Sequence, residues 1–154
     1  MAATFQTPRV FRSLTVAENM QVGRYGKHAA LDNRADADLL ERLQLARMRT
    51  ALAASLSGGQ KKLLEFARAL AVEPALVIAD EPTAGVSAAA QVPMTAEIRA
   101  AAARGTAFLI VSHDLPWTFG VCTHIMFLAG GSVMVEGTPD AVRSDPRVVE
   151  SYLR

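Results

Sequence analysis

Residues 55–82, SLSGGQKKLLEFARALAVEPALVIADEP, join a helix pattern to a strand pattern, and the residues at their ends set the fold. Leu63, Phe66, Ala67, Leu70 and Ala71 recur at helical spacing, so Lys61–Val72 is expected to be a helix with one apolar face. LVIA (76–79) is a short apolar strand that stops at Asp80 and Glu81. A second strand, AFLIV (107–111), ends just before His113. Between the strands runs a helix over at least Met94–Arg104, stopped by Gly105. The strand-to-strand separation is about the 30 residues of a βαβ unit, whose crossover is right-handed and leaves the strands parallel. The order strand, helix, strand, then a hairpin predicts an α/β fold with parallel central strands.

This fold puts Asp80, Glu81 and His113 on one edge of the sheet, where open parallel sheets bind ligands. An acid there can hold Mg²⁺, usually through water. A second acid beside it can orient a water for attack on a phosphate. A neutral imidazole can hydrogen-bond a terminal phosphate oxygen. The plain alternative for DEP is a solvated acidic turn broken by Pro82. His28 and His124 have no such setting and read as structural or solvated.

The helix end carries its own signal. Ser57 is expected to be the N-cap of a helix starting near Gln60 or Lys61. Gly58 and Gly59 then leave first-turn N–H groups unshielded at the positive end of the helix dipole, which suits an anion. Lys61 and Lys62 are slightly unfavourable beside that dipole, an effect that reverses when a polyphosphate arrives. Taken alone, the stretch also describes a capped helix after a glycine turn, with its lysines in water.

Bulk properties are compatible with an ordinary domain. The 154 residues are 51% hydrophobic, carry a formal charge of +1 and include one cysteine, Cys122. One cysteine excludes an internal disulfide, and its apolar surroundings suggest a buried small residue. The charge identifies no particular partner and argues against nucleic acid. No apolar run approaches the roughly 20 residues of a membrane span, and MAATFQTPRVFR (1–12) has no secretory-signal pattern.

The first fifty-odd residues are less regular. A short extended piece is expected before Pro8, and Thr15 with Glu18 forms a possible capping box for a helix from Val16. GRYGKH (23–28) reads as a loop. ADADLLERLQLARM (35–48) reads as one helix, with Leu39, Leu40, Leu43 and Ala46 or Met48 on one side. Near the other end, LPWTFGVC suggests one or two helical turns. HIMFLA, GG and SVMVEG suggest a hairpin, and TPDAVRS and PRVVESYL suggest short helices opened by proline.

LSGGQ (56–60), LVIADEP (76–82) and His113, in this order and spacing, resemble the ATP-binding subunits of ABC transporters. LSGGQ resembles the signature motif. LVIADE resembles the Walker B strand, with Asp80 at the magnesium site and Glu81 as the catalytic base. His113 resembles the switch histidine. Gln6 stands at the place of the Q-loop glutamine, which touches the metal site and senses the membrane partner. The resemblance implies that Ser57, Gly58, Gly59 and Gln60 clamp ATP bound by a second ATPase subunit. It implies ATP and Mg²⁺ as cofactors, transmembrane permease partners, and a cytoplasmic location on the inner face of the membrane. It also divides the chain into a Q-loop and helical subdomain (1–56) and the remainder of the core (57–154). FRSLTVAENM, AGVS and VEGTPDAVRSDPRVVESYL are similar to the branched-chain amino acid uptake subtype. Soluble ABC ATPases of DNA repair or translation usually carry large insertions or paired domains, unlike this compact chain.

Three departures from the family pattern stand out. No G-x-x-x-x-G-K-[ST] pattern occurs in the 154 residues; GRYGKH fails it, with Gln21 and His28 at two required positions. The chain therefore resembles an incomplete P-loop NTPase domain beginning near the Q-loop, with apolar sheet surface left open and self-association expected. Pro93 is expected to delay or kink its helix, and Ser87 replaces the D-loop aspartate. A non-enzymatic fragment docking on a transporter or full-length subunit is the competing expectation.

Overall fold

The computed structural model describes residues 1–22 and 33–152. GRYGKH, with His28, lies outside the described residues. The chain forms two compact units, Met1–His113 and Asp114–Arg154.

The first unit is built on a three-stranded parallel sheet in the order β1 (Ala2–Thr4), β2 (Leu76–Asp80), β3 (Ala107–Val111). Thr4 pairs with Ala79, and Asp80 with Val111, so all three strands end at the same edge. Thr15 and Glu18 form the expected capping box, and α1 (Val16–Val22) follows. The next helix is shorter than its sequence pattern. α2 (Asn33–Arg42) buries Leu39 and Leu40, and Leu43 just beyond it is also buried. Gln44 then takes a positive φ of 60°, which ends the helix, and Ala46–Met48 is a separate 3₁₀ turn. A single helix through residue 48 is thus corrected, and Ala46 is exposed rather than in line with Leu43.

α3 (Gly58–Leu70) is capped by Ser57 as expected but begins directly at Gly58. Leu63, Leu64, Phe66 and Ala67 form its buried face. α4 (Ala88–Ala103) is capped by Ser87 and runs through Pro93, so the delayed start is not observed. The helix continues although Pro93 offers no N–H to the carbonyl four residues back. Met94, Ile98 and Ala101 give α4 its buried stripe.

In the second unit, Asp114 caps α5 (Leu115–Val121) by accepting from the Trp117 N–H. β4 (Ile125–Ala129) and β5 (Ser132–Gly137) form the expected antiparallel hairpin. Gly130 and Gly131 both have positive φ, as a tight two-residue turn requires. α6 (Pro139–Ser144) and α7 (Pro146–Tyr152) follow. Ile125, Val142 and Val148 form the core, with Phe119, Cys122, Phe127 and Val135 against it. Cys122 is half-buried, and its burial pushes the thiol pKa up. His124 is exposed. No helix among the described residues is long and apolar enough to cross a membrane.

Candidate functional site

The carboxyl ends of β1, β2 and β3 carry Gln6, Asp80 with Glu81, and His113 respectively. The parallel register brings these residues to one edge. Glu81 and His113 meet there: Glu81 Oε2 lies 2.8 Å from His113 Nδ1. Glu81 Oε1 accepts from the His113 backbone N–H at 3.1 Å. The Glu81 side chain is 15% exposed and that of His113 is 83% exposed, so the imidazole is the outward member of the pair. Asp80 is half-buried and Gln6 is exposed.

Glu81 also has an unusual backbone. Its φ is +48°, in the left-handed region that costs an L-residue about 1–2 kcal/mol. Its N–H donates to the Val111 carbonyl at 2.8 Å, which carries the β2–β3 pairing one residue past the end of β2. The carboxylate is thereby turned towards His113 on the neighbouring strand end.

The two glycines of LSGGQ have different surroundings. A Cβ added to Gly58 would meet nothing within 4 Å, and Gly58 is exposed. A Cβ on Gly59 would stand 2.5 Å from the Gly85 carbonyl oxygen. Gly59 is therefore needed for packing against the loop after β2, whereas Gly58 leaves space for a ligand. Ser57 and Gln60 occupy each other in a capping box: Ser57 Oγ accepts from Gln60 N–H at 3.2 Å and Ser57 N–H donates to Gln60 Oε1 at 2.9 Å. Helix geometry gives the Gly58 and Gly59 amides no intrahelical acceptor. The donor end of α3 thus presents backbone amides beside the open Gly58 position, suited to an anion.

Lys62 departs from the sequence expectation. It is buried, and its Nζ donates to the carbonyls of Phe5 (2.9 Å), Asp80 (3.2 Å) and Glu81 (2.7 Å). Its three N–H groups are engaged, so it does not wait for a phosphate. Burial lowers its pKa, opposed by the carboxylates of Glu65, Asp80 and Glu81. One turn further along α3, buried Glu65 accepts from the N–H groups of Phe5 (3.3 Å) and Arg9 (2.8 Å). Arg68 bonds the Arg9 carbonyl and lies over the Phe11 ring. Its own burial lowers its pKa. Buried Asn19 bonds both the N–H and the carbonyl of Phe11. Residues 5–11, which include Gln6, are thus held from α1 and α3. Sequence reading missed this role. The available signal was Lys62 with Glu65 three residues on, sharing a helix side next to Leu63 and Phe66.

Among the described residues, no three His, Cys, Asp or Glu side chains form a metal cage. The donor set still fits Mg²⁺, which commonly binds one or two carboxylates and completes its shell with water and phosphate. Asp80 is the half-buried carboxylate that ends β2, with Gln6 just beyond the adjoining strand β1.

Residues 1–84 match the ABC transporter family. The chain belongs to that family. Residues 132–153 match the branched-chain amino acid ATP-binding cassette transporter family. The chain is 35% identical over 164 residues to a probable branched-chain amino acid transport ATP-binding protein, LivG, of Archaeoglobus fulgidus, covering 97% of this chain and 64% of that one. It is 34% identical over 150 residues to the lipopolysaccharide export system ATP-binding protein LptB of Acidithiobacillus ferridurans, covering 96% and 62%. A solved ATP-binding cassette of an ABC transporter superposes with a TM-score of 0.78 at 31% identity, over 98% of this chain and 67% of that one. The fold is accordingly that of an ABC ATPase domain, and the chain spans less than two thirds of the length of these two curated relatives.

Proposed function

We propose that this chain supplies the signature helix, the Walker B acids and the switch histidine of an ATP-hydrolysing ABC subunit. The observation that carries this reading is the meeting of Glu81 and His113, 2.8 Å apart, at the carboxyl edge of the parallel sheet beside Asp80. Glu81 would orient and deprotonate the attacking water, and His113 would hold the γ-phosphate. Asp80 and Gln6 would serve Mg²⁺, which when bound neutralises charge on the β- and γ-phosphates. In this account Ser57 and Gln60 keep the end of α3 shaped while the Gly58 and Gly59 amides face the nucleotide. That nucleotide would be bound by a second ATPase subunit.

Residues 1–56 then form the Q-loop and helical subdomain, and residues 57–154 the rest of the core. The LivG relative and the match at residues 132–153 support an importer of branched-chain amino acids or another small solute. The LptB relative supports the ATPase role equally but points to a different cargo. Permease subunits would be the membrane partners, with this chain on the cytoplasmic face. The test is ATP hydrolysis by the protein in its assembly, compared with Glu81→Gln. Loss of turnover with retained assembly supports the reading, and unchanged turnover removes it.

The second reading is a non-enzymatic fragment that docks on a transporter or a full-length subunit. It is favoured by the exposed Gly58 end of α3, which leaves backbone amides open to a second protein. Nucleotide binding and hydrolysis by the purified chain separate the two readings.

A further inference from the structure

Lys62 has no chemical part in the reaction proposed above, yet its ammonium joins three segments of the site. It bonds Phe5, which precedes Gln6, and both residues of the acid pair, Asp80 and Glu81. The shortest of these bonds, at 2.7 Å, goes to the carbonyl of Glu81, the residue with φ of +48°. An L-residue disfavours that region by about tenfold, so something must hold it there. The Ala84 N–H reaches the same carbonyl at 3.2 Å, and the Glu81 N–H bonds Val111.

We propose that Lys62 is a positioning residue that locks the Glu81 backbone in its left-handed conformation and so aims the carboxylate at His113. The same ammonium fixes Phe5 to this point. Gly58 lies four residues before Lys62 on α3, one turn away on the same side. The open helix end, the Q-loop segment and the proposed base are thereby parts of one tied block. This inference rests on Glu81 being the base, but its test does not use turnover.

The test is a double-substitution cycle read by unfolding of the full chain. Glycine accepts positive φ without strain, so with Lys62 present Glu81→Gly should have an unfolding constant about tenfold lower than Glu81→Ala. In the Lys62→Gln chain, residue 81 is free to leave the left-handed region, and the glycine advantage should fall to about twofold or less. A glycine advantage that Lys62→Gln leaves unchanged would overturn the proposal. If Lys62→Gln does not fold, the wild-type chain decides by NMR. The Lys62 ammonium must then give a slowly exchanging proton signal with contacts to Phe5 and Glu81, and a solvent-exchanged ammonium overturns the proposal. Loss of turnover in Glu81→Gln without coupling to Lys62 would keep the ATPase reading and remove this one. Coupling without turnover would do the reverse.

Discussion

In the Met1–His113 unit, α3 buries Lys62 and Glu65, and their partners are backbone groups of distant segments. In the Asp114–Arg154 unit, the core positions Ile125, Val142 and Val148 are apolar. Arg147 and Asp145, two residues apart at its surface, form an ion pair. The two regions differ in what their interactions specify. Apolar contact is non-directional and tolerates small shifts, so the hairpin unit gains compactness from it. A buried ion bonded to carbonyls and amides has fixed directions, and leaving such groups unpaired is expensive. Directional ties therefore accompany the candidate site, where the placement of Glu81 and Gln6 matters most.

The largest expected effect on stability comes from breaking one of those ties. Glu65→Ala strips two backbone N–H groups of their acceptor and removes one of the three carboxylates around buried Lys62, and should cost about 3 kcal/mol or more. Urea unfolding of the full chain measures this, and a cost below about 1 kcal/mol would remove the contrast between the units. Val142→Ala deletes buried methyl groups from the hairpin core and should cost about 2 kcal/mol. Amide exchange should rise within Asp114–Arg154 and stay near wild type at Glu81 and His113. Equal acceleration in both units would show that they do not respond separately.

The glycine pair sharpens the comparison within α3. Gly59→Ala forces a Cβ into the Gly85 carbonyl and should cost about 2 kcal/mol in thermal or urea unfolding. Gly58→Ala meets open space and should be neutral or slightly stabilising, while narrowing the approach to the helix end. The reverse order of costs would contradict the division between a packing glycine and a ligand-facing one.

The smallest effect is expected at the surface cap of α1. Bonds from the Thr15 N–H and hydroxyl hold the Glu18 pKa below its ordinary 4.5. A lowered carboxylate pKa means that the unfolded chain binds more protons in acid. The stabilisation is full above 4.5 and is lost as pH falls through the folded value. Glu18→Gln should remove a small acid-dependent component from unfolding curves taken above and below pH 4.5. An identical pH dependence in both chains would show that this cap contributes nothing.

The periodicity of Leu63, Phe66, Ala67 and Leu70 and the runs LVIA and AFLIV made α3, β2 and β3 legible from sequence. The βαβ spacing made their parallel arrangement legible, and the glycine pair marked the hairpin. The end of α2 was hidden because nothing in ERLQLARM forbids helix; Gln44 turns left-handed only in the folded context. Pro93 misled because the rest of its helix tolerates one missing donor. At the site, Asp80, Glu81 and His113 were visible as polar residues ending apolar strands. Lys62 was not, because a lysine beside a helix start normally lies in water and its three carbonyl partners come from segments 18 and 57 residues away. Gly58 and Gly59 read alike in sequence and separate only when Gly85 is brought against one of them.

The most direct test of the central claim, that Glu81 at the end of β2 is the base of an ATPase site, is steady-state ATP hydrolysis by the assembled protein and its Glu81→Gln variant. The account predicts a loss of turnover of about a hundredfold or more with assembly and ATP binding retained. Turnover within about twofold of wild type, or a wild-type assembly that does not hydrolyse ATP, would contradict it.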